Sequence, residues 1–264
     1  MQKYIQVVKN TFAEYTAYRL NFLLWRVRMV VRLIVIYTLW QAFFSSQKVI
    51  FGYSESQILT YILISEIVAN FVYSTRTQDL GSEIQQGNLT NYLLRPLNYF
   101  GFLLSRDILD KSLNVFFSII EVILLFIFFK PQIILVQNFG HLLLFMTAVF
   151  IGVSLYFCIS LTLSLFSFWT QESWAPRFLF FIISDFLSGG LFPLDILPKA
   201  IFNILNVLPF PYLLYFPLKI YLGQLTSQNI IQGMIISLLW LFMLIFIVKK
   251  VWAKGLRLYT AEGR

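Results

Sequence analysis

The chain has 264 residues, is 59% hydrophobic and only 12% charged, and has a mean hydropathy of +0.76. A soluble domain carries about 25% charged residues, and this much apolar surface cannot be hidden under a polar shell, so the composition argues against a soluble protein and for an all-α integral membrane protein. The net charge is +8, but the basic residues flank apolar runs, which points to anionic lipid head groups and not to nucleic acid.

Residues 1–19 hold no continuous apolar run of the kind a secretory signal needs. They do have helical periodicity. Tyr4, Ile5, Val8, Phe12 and Tyr15 share one face, with Lys3, Gln6, Asn10 and Glu14 on the other. This predicts an amphipathic helix lying in the membrane interface.

Six apolar stretches are long enough to cross a bilayer. They run over 21–44, 57–75, 112–129, 141–168, 174–192 and 230–248. Asp185, Gly189 and Gly190 interrupt the fifth. With both termini on the cytoplasmic side, 13 of the 20 Lys and Arg residues fall inside and 4 outside, leaving three within the first span. That bias follows the positive-inside rule. Trp25, Trp169, Trp174 and Trp252 then sit near the inner interface and Trp40 near the outer one. No repeat or low-complexity linker divides the chain, so 1–264 reads as one domain with a basic cytoplasmic tail at 249–264.

Residues 76–111 form the longest cytoplasmic interval between spans, and they are polar. Ser82 and Gln85 could form a capping box, and Gly87 could stop the helix. Leu80 and Ile84 lie four apart and predict a small apolar ridge, with Asp79 and Glu83 beside it. Arg95-Pro96 breaks whatever precedes it. A second unusual interval covers 189–228. It holds Pro193, Pro198, Pro209, Pro211 and Pro217, too apolar for a free loop and too broken for a simple crossing. A pair of re-entrant helices in the outer leaflet fits this pattern, buried against protein or lining a wet cavity.

Four polar residues lie deep in the predicted spans: Arg32, Glu66, Glu121 and Asp185. Intramembrane charges face a bundle interior or a pathway. Arg26 and Arg28 could snorkel to the inner interface, whereas Arg32 lies deeper and would pair with Glu66 or Glu121. No residues mark a catalytic site. A phosphate loop, a zinc-protease motif and a nucleophile elbow are all absent from the sequence. One cysteine, Cys158, allows no intrachain disulfide, and the single His141 makes no recognisable metal site.

The segment EIQQGNLTNYLLRPLNYF, residues 83–100, resembles the first cytoplasmic loop of type 2 ATP-binding cassette exporter permeases, through Gly87, Leu89, Tyr92, Leu93, Leu94, Arg95, Pro96 and Leu97. The run from Ser188 to Gly223 resembles that family's exit from span five, its outer re-entrant helices and its Pro-Phe motif, here Pro209-Phe210. The ending KGLRLYTAEGR resembles its short basic tail. The resemblance covers nearly the whole chain and implies a permease subunit of an exporter in a prokaryotic plasma membrane. It implies two permeases, identical or related, and two separate cassette ATPases that hold ATP and Mg, with no cofactor on this chain. A coupling helix between spans two and three would seat in the ATPase through Leu80, Glu83, Ile84, Gly87, Leu89, Tyr92, Arg95 and Pro96. Pro193, Pro198, Pro209, Phe210 and Pro217 would belong to an outer gate. The alternative, from the residues alone, is an ion-driven carrier or channel that relays protons over Glu66, Glu121 and Asp185.

Overall fold

Long runs of Leu, Ile, Phe and Val with few breakers wind into helices, and the breakers set where they end. The computed structural model describes residues 2–94, 98–135, 138–170, 172 and 174–259. In chain order these form α1 (Gln2–Ala17), α2 (Arg19–Phe44), β1 (Val49–Ile50), β2 (Tyr53–Ser54), α3 (Glu55–Tyr73), α4 (Thr77–Gln85), α5 (Leu89–Leu93), α6 (Tyr99–Phe129), α7 (Phe139–Leu165), α8 (Trp174–Leu187), α9 (Lys199–Val207), α10 (Tyr215–Tyr221) and α11 (Ser227–Leu256). The strands make one small antiparallel hairpin, Val49 opposite Ser54, turned by Phe51 and Gly52 at positive φ. It is a small departure from the expected all-α chain.

Four stretches among the described residues are long and apolar enough to cross a membrane: Glu55–Gln85, Tyr99–Phe129, Phe139–Phe168 and Ser227–Leu256. The arginine-bearing α2 and the 14-residue α8 are outside that set.

Caps explain several ends. Ser54 and Gln57 form a capping box that starts α3, satisfying backbone N–H groups that would otherwise be orphaned. Asn98, Asn138 and Thr226 cap α6, α7 and α11 through their side chains. α4 runs unbroken through Ser82, so the capping box expected at Ser82 and Gln85 does not form. Gly87, at φ 72, follows α4 in the left-handed region that glycine enters without strain.

α6 begins at Tyr99, thirteen residues before the predicted start at Ser112. Its first turns hold Arg106, Asp107, Asp110 and Lys111, all buried, which a hydropathy reading counts against a span. α8, within the fifth predicted span, stops at Leu187, before Gly189 and Gly190. Gly189 is at φ 85 with a Tyr61 hydroxyl where a Cβ would stand, so glycine is required there.

The core is built around α7, which packs along α11, α10 and α4, while α6 packs against α3 and α1. α11 approaches closely at Gly233, against Phe216, and at Gly255, against Phe168. On α1, Tyr4, Val8 and Tyr15 are half-buried against the protein, while Ile5 and Phe12 of the same face stay exposed. Tyr4 packs on Gly101 of α6.

Candidate functional site

At one end of the bundle α4 and α5 meet α1, the start of α6, the end of α7 and the end of α11. The amphipathic pattern of α4 sends Leu80 and Ile84 inward, at 0% and 4% exposure, into the main core cluster with Val72, Leu103 and Leu165. This corrects the expectation that they form an outward ridge for a partner. Leu89 of α5 is buried in the same cluster. The faces left exposed are Gln78, Ser82 and Gln86, then Asn88, Asn91, Leu93 and Leu94, with Leu94 80% exposed. Arg95 and Pro96 lie outside the described residues.

A dense set of charges ties this end together. Arg106 of α6 lies 3.0 Å from Asp79 of α4 and 3.1 Å from Glu14 of α1. Arg76, just before α4, lies 3.4 Å from Asp110 and 3.6 Å from Asp79. Asp107 accepts from the Arg76 backbone N–H at 2.7 Å and from the Thr75 hydroxyl at 2.8 Å. Lys111 donates to the carbonyls of Phe71 and Ser74, at the end of α3. Glu83 accepts from the Tyr99 hydroxyl. The Tyr92 ring packs on Phe102 and Tyr99. Tyr259 donates to the Gly87 carbonyl at 2.6 Å and accepts from the Thr90 N–H at 3.1 Å. These contacts tie α4 and α5 to α1, to α6 and to the segment after α11, so this end of the bundle is braced and is not a loose loop.

Deeper in the bundle the predicted polar residues pair differently from expectation. Arg26 does not snorkel outward. It makes a bidentate pair with Glu121, at 2.5 and 2.7 Å, and donates to Asn70 and Asn114 at 3.0 and 3.2 Å. Asn70 in turn donates to the Glu66 carboxylate at 2.7 Å. Arg32 pairs with Asp185 at 2.6 Å, and not with Glu66 or Glu121. Two networks thus join α2 to α3 and α6, and α2 to α8.

The opposite end carries the prolines. Pro193 precedes a short 3-10 turn, Leu194–Ile196, and Pro198 caps α9. Pro209 precedes a second turn, Phe210–Tyr212, where the Phe210 ring meets Phe180 of α8. Pro217 sits in the first turn of α10, where its missing N–H costs nothing. The sequence reading missed the cluster beneath them. Lys219, one of the four basic residues placed on the outer side, is buried and donates to Tyr53 at 2.7 Å, to Asp195 at 2.9 Å and to Gln224 at 2.5 Å. The Tyr53 hydroxyl also donates to Asp195 at 2.7 Å. Burial lowers the Lys219 pKa, and the Asp195 carboxylate works against that shift. Tyr61 donates to the Gly189 carbonyl at 2.7 Å.

Between the two ends, α1, α2, α3, α4, α6, α7 and α8 line an open cavity of about 960 Å³. Its wall combines aromatic rings, among them Trp25, Tyr73, Trp174 and Phe178, with Arg28, Arg32 and Arg177. Arg28 was expected to snorkel to the inner interface, and Arg177 was not singled out as a site residue in the sequence. The spacing of Arg106 to Asp110 and of Asp107 to Lys111, each one helical turn, was the available sign that α6 continues through its charges. Among the described residues no group of His, Cys, Asp and Glu is arranged to hold a metal ion.

The chain matches the model of the family described as ABC-2 family transporter protein over residues 30–263. No curated protein matches it.

Proposed function

The chain belongs to the ABC-2 family of transporter proteins, a membrane transport component, and from that premise we propose that it is the membrane-spanning permease of an exporter driven by a separate ATPase. In this reading α2, α3, α6, α7, α8 and α11 are the six spans, and both termini face the cytoplasm of a prokaryotic cell. ATP and Mg belong to the partner ATPase, and a second permease, identical or related, completes the path. α4 and α5 form the coupling element. The exposed residues Gln86, Asn88 and Leu94 meet the ATPase, while Leu80, Ile84 and Leu89 anchor the element from within. α9, α10 and the turns at Pro193 and Pro209 form the outer gate.

The observation that carries the reading is the bracing of α4 by Arg76 and Arg106 against α1 and α6. Movement of the coupling element would reach α2 and α8 through those helices, and ATP would act by favouring one arrangement over the other. The ion-driven alternative draws less support, because Glu121 and Asp185 are engaged in ion pairs and Glu66 in a hydrogen bond.

The test is copurification in mild detergent from the native membrane. Leu94→Glu should insert and fold as wild type yet lose a cassette ATPase that wild type retains. Retention of that ATPase by Leu94→Glu would sink the assigned face. Absence of any ATPase from wild type, after crosslinking shows that complexes survive extraction, would sink the exporter reading.

A further inference from the structure

Not every charge around the central cavity is matched by an ion-pair partner, although Asp79 acts on Arg177 from beyond contact distance. Every carboxylate on its wall has a partner within the protein. Glu14 and Asp79 face Arg76 and Arg106. Asp110 accepts from Tyr15 and faces Arg76, and Glu66 accepts from Asn70. Arg32 is taken by Asp185. Two guanidiniums are left. Among the described residues neither Arg28 nor Arg177 has a carboxylate within 4.0 Å. Arg28 lies over the Trp25 ring at 4.3 Å. Arg177 donates only to the hydroxyls of Ser160, at 3.0 Å, and Ser164. Both line the cavity, together with Trp25, Trp174 and Phe178.

Arg177 is half-buried and Arg28 is exposed at the mouth; a partly buried cation without a paired anion is costly, and two guanidiniums beside aromatic rings are complementary to one kind of ligand. We propose that this cavity binds an amphipathic anion, with a phosphate or carboxylate head between Arg28 and Arg177 and an apolar body along the Trp25, Trp174 and Phe178 surface. Arg presents a planar fork that suits either head group. The proposal rests on the exporter reading only in treating the ligand as cargo, and it names the cargo class which that reading leaves open. Arg177 also touches the element proposed to couple to ATP. Ser160 and Ser164, its two partners, hold the Thr77 hydroxyl at 2.6 Å and the Thr77 carbonyl at 2.7 Å, at the first residue of α4. A head group that competes for Arg177 therefore reaches α4 through two hydroxyls.

The test needs no ATPase, so its failure is separate from failure of the exporter reading. The protein is placed in nanodiscs of phosphatidylcholine and exposed to a diazirine-bearing palmitate, with the matching fatty alcohol as control. Crosslinks are mapped by peptide mass spectrometry. The expected result is saturable labelling beside Trp25, Trp174 or Phe178 by the carboxylate and not by the alcohol. Dodecyl phosphate should compete, and dodecyltrimethylammonium should not. Arg28→Gln with Arg177→Gln should cut the labelling about tenfold or more, the loss expected when charge-assisted hydrogen bonds are removed. Arg28→Gln alone changes an exposed residue and should give a partial loss in a folded protein. Arg177→Lys, which keeps the charge, should retain most of the labelling. Equal labelling by the alcohol, or labelling indifferent to both Arg→Gln changes, overturns the proposal. Repeating the experiment with phosphatidylglycerol in the disc separates two sources of the same chemistry. Competition by that lipid identifies a resident bilayer anion, and persistence of labelling identifies an incoming amphiphile.

Discussion

Arg26→Met is the sharpest stability test of the network in the bundle. The guanidinium and the Glu121 carboxylate are 5% and 6% exposed and meet at 2.5 Å. Removing one partner strands the other charge away from water, a loss of about 3–5 kcal/mol for a buried pair. In a membrane the unfolded reference also finds polar partners, which trims single hydrogen bonds to about 0.6 kcal/mol. The contacts to Asn70 and Asn114 therefore add little, and the stranded Glu121 dominates, leaving about 3 kcal/mol. That is roughly a hundredfold change in the folding equilibrium. The assay is reversible unfolding by dodecyl sulfate in mixed micelles, followed by tryptophan fluorescence. Arg28→Met is the control on the same helix; it has no carboxylate partner and should cost about 1 kcal/mol or less, the value of its contact with Trp25. Arg26→Met with Glu121→Met should recover most of the loss, because apolar replacement of a whole buried pair is often neutral. A single change that costs no more than the control, or a double change worse than the single, would refute the reasoning.

Gly233→Ala should cost about 1–3 kcal/mol by overpacking, since its Cβ would stand 2.2 Å from the buried Phe216 ring; Gly52→Ala, with nothing within 4 Å but φ +83, should cost only about 1–2 kcal/mol from the left-handed backbone. Both are read by the same unfolding assay. Tyr53→Phe removes a hydroxyl bound to Asp195 and Lys219 and should destabilise by about 1–3 kcal/mol, and proteolysis of 189–228 in the intact protein should speed up accordingly. For topology, in a Cys158→Ser background a cysteine at Lys48 should label from outside the cell and one at Gln86 should not; the opposite pattern would invert the proposed orientation.

Much of the helix plan was legible because apolar length is a local property. The expected 21–44 and 57–75 became α2 and α3 within two residues at each end. The start of α6 was not, because Arg106, Asp107, Asp110 and Lys111 count as breakers until their partners on α1, α3 and α4 are known. The pairing of Arg32 with Asp185 spans 153 positions, and no local rule selects it over Glu66 or Glu121. The amphipathic face of α4 could be read from Leu80 and Ile84, but not what covers it. A stripe of two apolar residues looks the same whether it docks a partner or its own core, and here it joins the main core, where α4 packs on α7. Topology alone put Lys219 on the outer side, and Asp195, Tyr53 and Gln224 converge on it only in the fold.

The central claim is that α4 and α5 are where a separate ATPase meets this chain. The most direct measurement is a photoactivatable crosslinker on a cysteine at Gln86, in the Cys158→Ser background, in the native membrane without extraction. One dominant partner is expected, identified by mass spectrometry as a soluble ATPase with a phosphate loop, and that crosslink should be lost in Leu94→Glu. Crosslinks only to lipid, or to this chain itself, with Gln86 shown to be on the cytoplasmic side, would contradict it.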